Sequence, residues 1–371
     1  MNAIQQIFQA HGEDFCRELG ATVQQRKAIA AIANCRTPEF GIVRYSCPTC
    51  PHELTTFRSC GNRHCPTCDG RKSHAWLSKQ LQRRLPCEYF LLTFTIPAEL
   101  RSLVLGRRGV AYGILMDAAA NALKAILKDP RHCGAEFPGF TCVLHTWGRQ
   151  LQFHPHVHVI IPAGGLNADR DLWMSSRDAY LAPVQALSRL FRGKCIAGLE
   201  AAGLTEQIPT DARRKEWNVH CKPAGSGANA LKYLARYVFR IAISPERIIA
   251  VTDTTVTFSY KKVNASRSRT LSLSIFEFMR RYLMHVLPMG FMKIRHYGFM
   301  HPNSSVDFDD IRELVAESKD LIDGQVAVDL KLLLPPPPLC CPCCKTPLVC
   351  VPSIPLTTAN KLAKGLPMKA G

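Results

Sequence analysis

The sequence predicts an α+β fold with a small cysteine-rich module near its N-terminus. Helix-like and strand-like segments alternate irregularly along the 371 residues, which disfavours the regular βαβ repeat of a doubly wound sheet. A hydrophobic content of 47% is typical of a folded chain rather than a disordered one. Many of the 17 cysteines fall into two short stretches, residues 47–68 and 340–350, so we expect a module built around them.

The elements follow from apolar periodicity and from the positions of proline and glycine. Helices are predicted over residues 1–34, 71–85, 107–128, 180–202, 228–241 and 275–286. Strands are predicted over residues 89–96, 140–147, 154–161 and, as three short strands, 247–273. Residues 293–298 are predicted as a basic loop. We therefore expect a helical and metal-binding domain over 1–85, a second domain over 86–305, and a tail over 306–371 that contains the proline-rich linker 335–338.

The charge balance restricts the partners of the chain. Lysine and arginine together number 47 and aspartate and glutamate 29, which gives a formal net charge of +18. A folded protein this basic most often binds a polyanion, meaning nucleic acid or an anionic membrane surface. The sequence has no uninterrupted apolar stretch of about 18 residues, the length of a membrane helix. Residues 1–6 lack a secretory-signal pattern, so we expect a cytoplasmic protein with reduced cysteines and no membrane partner.

Two cysteine pairs of identical spacing predict a structural zinc ion. Cys47 and Cys50 form one pair and Cys65 and Cys68 the other, and two such knuckles complete a tetrahedron of thiolates. Four further residues could form a second site or exchange into the first: Cys35, His52, Cys60 and His64. Arg63 and its basic neighbours would suit a DNA-binding head, or they only keep a small domain soluble.

The C-terminal cysteines contain half of a zinc ribbon. Cys341 and Cys344 have the knuckle spacing, and Cys340, Cys343 and Cys350 crowd them. Whether a metal binds there is left open by the sequence.

Three histidines lie within five residues at the start of a predicted strand. Because side chains two residues apart point to one face of a strand, His156 and His158 present two imidazoles side by side. His154 could add a third, although the proline that follows it disturbs the register. Two imidazoles on a rigid strand are half of a divalent-metal site with open positions, which can polarise a phosphoryl oxygen. His145 and Gln152 are further candidates for the missing ligand.

Two tyrosines are spaced by one turn of a predicted helix. Tyr233 and Tyr237 stand four positions apart, a spacing that on its own usually marks core packing. Beside a histidine strand in a basic protein, they indicate nucleophiles that attack a DNA phosphodiester. Such a phenol needs a metal and a nearby positive charge, since its unperturbed pKa is about 10. Lys232 and Arg236 are close in sequence and could hold phosphates. The phosphotyrosine conserves the bond energy, and the sequence contains no ATP-binding P-loop motif.

Taken in order, these motifs resemble those of the HUH-type rolling-circle transposases of the insertion-sequence family numbered ninety-one, the paired-tyrosine kind. The resemblance extends from about Cys35 to Tyr297. The segments that carry it are 59–68, 90–97, 145–148, 154–158, 233–237 and 294–298. Each segment alone is unspecific, but together in this order they are specific for the family.

The resemblance implies a mechanism and a fold. His156 and His158 match the metal-binding pair, with magnesium or manganese as the working ion, and Tyr233 and Tyr237 match the two nucleophiles. The catalytic domain over 86–305 is expected to be an HUH-endonuclease-like antiparallel sheet flanked by helices. One tyrosine would cut single-stranded DNA at a transposon end, keep the 5′ phosphate and leave a 3′-OH for host replication enzymes. The second would cut the target.

Two other functions remain open at this stage. A plasmid-type rolling-circle replication initiator would use the same active site. A non-catalytic zinc-dependent DNA-binding regulator would have no reason to keep all four histidine and tyrosine residues of the motif. Arg295, in the basic loop, is expected to contact phosphate unless that loop is only a solvated face. The protein is expected to act at the bacterial nucleoid, and its oligomeric state is left open.

Overall fold

The computed structural model describes residues 1–68, 70–238, 242–261, 266–319 and 338–351. The side chains of residues 70–72 and 236–238 lie outside this description, as does the predicted proline-rich linker except for its last residue. The α-helices are α1 (Ala3–Glu18), α2 (Val23–Ala33), α3 (Gly70–Gln82), α4 (Arg101–Gly106), α5 (Arg108–Lys128), α6 (Val184–Ala201), α7 (Thr210–Arg214), α8 (Ala228–Val238), α9 (Ile275–Met284) and α10 (Phe308–Glu317). The strands are β1 (Ile42–Ser46), β2 (Glu53–Phe57), β3 (Tyr89–Thr95), β4 (Phe140–Trp147), β5 (Phe153–Pro162), β6 (Gly164–Leu166), β7 (Trp173–Ser175), β8 (Asn218–Pro223), β9 (Ile248–Val251), β10 (Thr255–Lys261), β11 (Ser268–Ser274), β12 (Ile294–Tyr297) and β13 (Val349–Val351).

The chain forms two compact units, each built from separated segments. Unit 1 comprises Met1–His74, Phe239–Val286 and Leu334–Gly371, and unit 2 comprises Ala75–Val238 and Leu287–Leu333. The expected α+β fold, with antiparallel sheets flanked by helices, is confirmed. The three consecutive domains over 1–85, 86–305 and 306–371 stay a prediction. The two compact units are divided differently: part of the middle segment and the C-terminal cysteines belong to unit 1.

Unit 2 is organised around a five-stranded sheet of order β12-β4-β5-β3-β8, in which every neighbouring pair is antiparallel. One face of this sheet is apolar and packs against α5 and α6. Phe94 of β3 is fully buried and meets Phe191 of α6 edge to face, with ring centroids 5.1 Å apart. Phe191 also contacts the ring of Trp217 at 5.2 Å. The core of unit 2 therefore lies on this face, which leaves the opposite face of the sheet for polar side chains.

Both edge strands of this sheet differ from the sequence prediction. Residues 293–298 were predicted as a basic loop, and this was wrong: β12 pairs with β4 from Ile294↔Val143 to Tyr297↔Phe140. The strand β8, which pairs with β3, was not predicted. Both strands are short, and their residues are mostly polar and at least partly exposed. An edge strand buries little side-chain surface, so it carries no apolar run that would mark it in the sequence.

Unit 1 begins with two helices where the sequence predicts one continuous helical stretch. Gly20 has φ of +68°, a left-handed conformation that ends α1. Thr22 then begins α2 with a reciprocal capping box, in which its hydroxyl accepts from the Gln25 amide and the Gln25 side chain accepts from the Thr22 amide. The glycine and the capping box end one helix and begin the next within a few residues. The apolar periodicity continues on both sides of them, so it predicts a single helical stretch.

The core of unit 1 joins its N-terminal helix α1 to the later helix α9. The rings of Phe8 in α1 and Tyr282 in α9 meet edge to face at 5.1 Å, and both side chains are fully buried. The Tyr282 hydroxyl donates to the backbone carbonyl of His64 at 2.8 Å. Two three-stranded sheets, β13-β1-β2 and β11-β10-β9, complete the unit. The described residues of 242–286 thus belong to the same unit as the cysteine-rich region.

One described helix has the length and composition of a membrane span. In α5, an 18-residue window has a mean hydropathy of 1.4, and 61% of this window is buried in the structure. Its small and apolar residues, such as Ala119 and Leu123, are fully buried against the rest of unit 2. The apolar character of α5 is accounted for by this packing, as in the core helix of a globular unit.

Phe94→Ala tests the sheet–helix core of unit 2. The truncation leaves a cavity between β3 and α6, so we expect the free energy of unfolding to fall by about 3–5 kcal/mol in urea denaturation. Val110→Ala, at a 54% exposed position of α5, is the control and should change it by less than about 0.5 kcal/mol. Equal effects of the two substitutions would contradict the described packing.

Candidate functional site

Three imidazoles converge on the polar face of the five-stranded sheet. The alternation of side chains along β5 places His156 and His158 on this face. Antiparallel pairing sets His145 of β4 directly opposite His156. One ligand nitrogen from each of the three histidines lies within 4.8 Å of the other two. The ladder between β4 and β5 shifts register just after His145, a bulge of the kind that redirects side chains next to functional sites.

Hydrogen bonds fix the orientation of two of these rings. The Nδ1 of His156 donates to the backbone carbonyl of His154 at 2.7 Å, which leaves the lone pair of Nε2 available to a metal. The Nδ1 of His158 lies 3.1 Å from the hydroxyl of Thr93 on the neighbouring strand β3. Partners of this kind hold metal-binding imidazoles in position and tune their basicity.

Burial keeps the three imidazoles neutral. It lowers the pKa of His156 to about 4 and holds the pKa values of His145 and His158 well below their ordinary value. The positive charges of Lys293, near His145 and His156, and of Lys222, near His158, act in the same direction. Neutral imidazole is the form that binds metal, so at neutral pH the cluster is ready to accept a cation.

The histidine that lies beside His156 and His158 is His145 rather than His154. His154 lies outside the cluster, because its Nδ1 accepts from the Arg101 guanidinium at 3.0 Å. Its backbone carbonyl, rather than its ring, serves the site by orienting His156. Gln152 is exposed, and its side-chain oxygen accepts from the amide of Gln150. Of the two outside candidates, the structure therefore brings His145 to the pair.

A tyrosine stands next to the histidine cluster. Tyr233 lies on α8, and its ring centroid is 6.0 Å from that of His158. Its side chain is 41% exposed, which distinguishes it from the buried Leu234 and Ala235 that follow. Tyr237 lies one turn further along α8, and its side chain lies outside the described residues.

Unit 1 holds two groups of four cysteines, and their membership differs from the prediction. The first quartet, Cys35, Cys60, Cys65 and Cys68, and the second quartet, Cys47, Cys50, Cys341 and Cys344, each have sulfurs within 4.8 Å of one another. The structure therefore groups the sulfurs differently from the prediction that the two N-terminal knuckles share one ion. Cys47 and Cys50 lie in the turn between β1 and β2, whereas Cys35 precedes β1 and Cys60 follows β2, so the two knuckles meet different stretches of chain at opposite ends of this hairpin.

The first quartet fits a tetrahedral zinc ion. The Sγ of Cys68 lies 3.5 Å from those of Cys35 and Cys60. A zinc–thiolate tetrahedron with bonds of about 2.3 Å has edges of about 3.8 Å, so little movement would be needed to bind the ion. The Cys68 pKa is lowered by hydrogen bonds from the neighbouring thiols, Cys60 first, which favours a thiolate in this group.

The two histidines that were candidate ligands of this module lie in neither quartet. The His52 carbonyl accepts from the Cys47 amide at 3.0 Å and closes the turn of that knuckle. The His64 amide donates to the side chain of Asn62, and its carbonyl accepts from Tyr282. Both residues thus shape the loops that carry the cysteines.

Comparison with known proteins assigns the family. Residues 7–96 match a family model described as a transposase zinc-binding domain, and residues 139–306 match one described as a putative transposase. The putative transposase y4qJ of Sinorhizobium fredii is 36% identical over 315 residues, which cover 79% of each chain. The chain belongs to the IS91 family of rolling-circle transposases.

A second relative supports the same family. The transposase for insertion sequence element IS801 of Pseudomonas savastanoi pv. phaseolicola is 28% identical over 291 residues, covering 74% of this chain and 70% of the relative. No solved structure matches the chain. The resemblance stated from the motifs is confirmed. As a transposase the protein binds and processes DNA, and its matched zinc-binding domain contains the whole first quartet.

The four residues predicted to contact DNA lie in different parts of the structure. Arg63 is exposed on the cysteine module, and Lys232 is half-buried beside Tyr233 on α8. The side chain of Arg236 lies outside the described residues. Arg295 pairs in register with Cys142, on the face of the sheet opposite the histidines, and forms an ion pair with Asp117 at 3.0 Å.

The strand register reveals site residues that the sequence analysis missed. Thr93, His220 and Lys222 lie on the histidine face, since Thr93 pairs with both His158 and His220, and Lys222 lies two residues beyond His220. His296, next to Arg295, also faces this side, and its Nδ1 lies 2.8 Å from the hydroxyl of Thr141. Thr93 and Thr95 are polar residues in a strand that is otherwise largely apolar, and this was a signal, but its meaning depends on which strands lie beside β3.

Substitution of two histidines tests whether His154 or His145 is the third ligand of a bound metal. His145→Ala removes a cluster nitrogen and should weaken Mn²⁺ binding, measured by calorimetry, at least as much as the roughly 10–100-fold that loss of an orienting partner costs. His154→Ala keeps the backbone carbonyl that orients His156 and should leave the affinity close to that of the unmodified chain. A larger loss of Mn²⁺ affinity in His154→Ala than in His145→Ala would show that His154 is the third ligand.

Thr93→Val tests the orienting hydroxyl. The substitution keeps the side-chain shape and removes the contact to His158, so the Mn²⁺ affinity should fall by about 10–100-fold. Thr95→Val, two residues along the same strand and face, is the matched control and should bind Mn²⁺ nearly as the unmodified chain does. Unchanged affinity in Thr93→Val would show that the ring of His158 is positioned by packing alone.

Proposed function

We propose that this transposase cuts and rejoins single-stranded DNA at the ends of its insertion sequence through a 5′-phosphotyrosine. The observation that carries the proposal is the placement of Tyr233, whose partly exposed ring lies 6.0 Å from that of His158. A phenol that only filled the core would be buried, as Tyr112 and Tyr282 are. An exposed phenol beside three clustered imidazoles has the geometry of a nucleophile next to a metal site.

The histidine cluster suits a divalent cation with free coordination positions. When bound, a magnesium or manganese ion supplies Lewis-acid polarisation of a phosphoryl oxygen. Imidazole is a better ligand for manganese than for magnesium, so manganese should support activity well. The rings of His145, His156 and His158 approach from the sheet alone, so the side towards α8 is left for oxygen ligands.

The bond-making and bond-breaking steps are then assigned to the tyrosine. The Oη of Tyr233 attacks the phosphorus, the new Oη–P bond forms, and the bond from phosphorus to the 3′ oxygen breaks. The phenolic proton passes to solvent and the departing 3′ oxygen gains one, so the products are a free 3′-OH and a protein-linked 5′ phosphate. The reverse reaction with another 3′-OH rejoins strands without ATP, since the bond energy is retained.

Two lysines near the histidine cluster and the tyrosine fit a DNA backbone. Lys222 lies on β8 near His158, and Lys232 immediately precedes Tyr233. Two lysines beside the nucleophile would neutralise phosphates on either side of the cut. Tyr237 serves in this proposal as the second nucleophile, acting on the target strand, and host replication enzymes extend the free 3′-OH. The setting is the cytoplasm, at the bacterial nucleoid.

A labelled single-stranded oligonucleotide from the element's end tests the proposal. Incubated with the protein and Mn²⁺, a 3′-labelled strand should yield a covalent protein–DNA band that survives denaturation, because the 5′ phosphate of the 3′ fragment stays linked. A 5′-labelled strand should yield a free, shorter fragment that a polymerase extends. Tyr233→Phe and Tyr237→Phe should each reduce the covalent band, and the double substitution should abolish it.

Tyr180→Phe is the matched control, since this tyrosine of unit 2 is similarly exposed at 38% but is not on α8. It should form the covalent band at the unmodified level. A full-strength band in the Tyr233→Phe/Tyr237→Phe protein would reject the tyrosine mechanism. Linkage of the 5′-labelled fragment instead would mean that the protein holds the 3′ phosphate.

A further inference from the structure

We propose that the second quartet, Cys47, Cys50, Cys341 and Cys344, binds a second structural zinc ion that ties the C-terminal segment of the chain to the N-terminal module. Two of its ligands, Cys341 and Cys344, lie far beyond the residues that match the zinc-binding family model, 7–96. Cys47 and Cys344 are 297 positions apart in the chain. The site is therefore formed by tertiary structure, from two half-sites that cannot each bind zinc with four ligands.

The sulfur positions match a zinc tetrahedron and do not match disulfides. The Sγ of Cys344 is 3.3 Å from that of Cys47 and 3.8 Å from that of Cys50, and Cys50 is 3.6 Å from Cys341. The edges of a zinc–thiolate tetrahedron are about 3.8 Å. A disulfide requires about 2.0 Å. The three Sγ–Sγ distances are all close to the edge of this tetrahedron, so the four sulfurs surround one shared centre rather than forming two bonded pairs.

The backbone presents both knuckles in the same way. The amide of Cys47 donates to the carbonyl of His52 at 3.0 Å, and the amide of Cys341 donates to the carbonyl of Thr346 at 2.8 Å. Each hydrogen bond closes a tight loop that carries the second cysteine of its pair. Lys345 adopts φ of +64°, a left-handed turn directly after Cys344. Two matching loops that point their sulfurs at one another make up the two halves of a zinc ribbon.

The structure selects two of the five C-terminal cysteines. Cys341 is completely buried, whereas Cys340, Cys343 and Cys350 are exposed and lie in neither quartet. The sulfur of Cys340 points to the carbonyl of Pro338 instead. The sequence pattern favoured Cys341 and Cys344 as a knuckle, and the structure adds that these two residues, rather than Cys340 and Cys343, lie beside Cys47 and Cys50.

The ion accounts for the short strand that follows. The three residues of β13 are all exposed, and they pair with Arg44, Tyr45 and Ser46 of β1, directly before the Cys47 knuckle. So short and exposed a strand buries too little surface to offset the loss of conformational entropy when distant segments are joined. Zinc bonds to thiolates from both segments supply that free energy.

Zinc analysis of serine variants tests the site. Under reducing conditions, Cys341→Ser/Cys344→Ser should contain one zinc ion per chain fewer than the unmodified protein, by elemental analysis. Cys340→Ser/Cys343→Ser has the same number and kind of substitutions in the same segment and should keep the full zinc content. Unchanged zinc in the first variant, or an equal loss in the second, would overturn the proposal.

Alkylation of the unmodified protein gives a second test that does not depend on how a variant folds. With zinc bound, Cys344 should resist iodoacetamide while Cys340, Cys343 and Cys350 react, as resolved by peptide mass spectrometry. Cys344 is exposed, so burial would not explain its protection from alkylation. A chelator that removes the zinc should make Cys344 reactive. Reaction of Cys344 at the rate of Cys343 before chelation would reject the site, whatever the DNA-cutting assay shows.

Discussion

The antiparallel ladder between β4 and β5 is the constraint on which the histidine site depends. It sets His145 opposite His156 and leaves His158 two residues away on the same face. Because side chains alternate along a strand, a slip of one residue would turn the pair on β5 away from His145. The buried residues of the other face, Val157 among them, oppose such a slip, since it would expose them to water. Core packing on one face of the sheet thus fixes the strand register that brings the three histidines together on the other face.

The polar face of the sheet keeps the three imidazoles neutral and fixes the orientation of two of them. Burial suppresses protonation of the imidazoles, and the carbonyl of His154 and the hydroxyl of Thr93 determine how two of the rings are turned. A site prepared in this way need not reorganise when a cation binds, so less of the binding free energy is lost. The tyrosine stands on a helix, apart from the strands, and so can differ in exposure from the rings it faces.

The two cysteine quartets show how a basic, modest-sized unit is held together. Unit 1 is assembled from three separated stretches of chain. Aromatic packing between α1 and α9 supplies one connection, with Phe8 and Tyr282 at its centre. The zinc ion that we propose at the second quartet would supply another, between Cys47 and Cys50 and the C-terminal Cys341 and Cys344. Thiolate clusters give strong, directional links where the exposed strands β1, β2 and β13 bury little apolar surface.

Local patterns were enough for much of this protein. The longer helices, the buried strands of the five-stranded sheet, the histidine pair, the tyrosine helix and the cysteine knuckles are visible in runs of adjacent residues, because periodicity and spacing are local properties. The shorter helices α4, α7 and α10 were not predicted. What local patterns could not determine is which elements become neighbours. The edge strands β8 and β12, the partner His145, and the division of the cysteines into two quartets depend on strand register and on contacts between residues hundreds of positions apart. Those contacts are selected by the packing of the whole chain, so only the tertiary structure decided them.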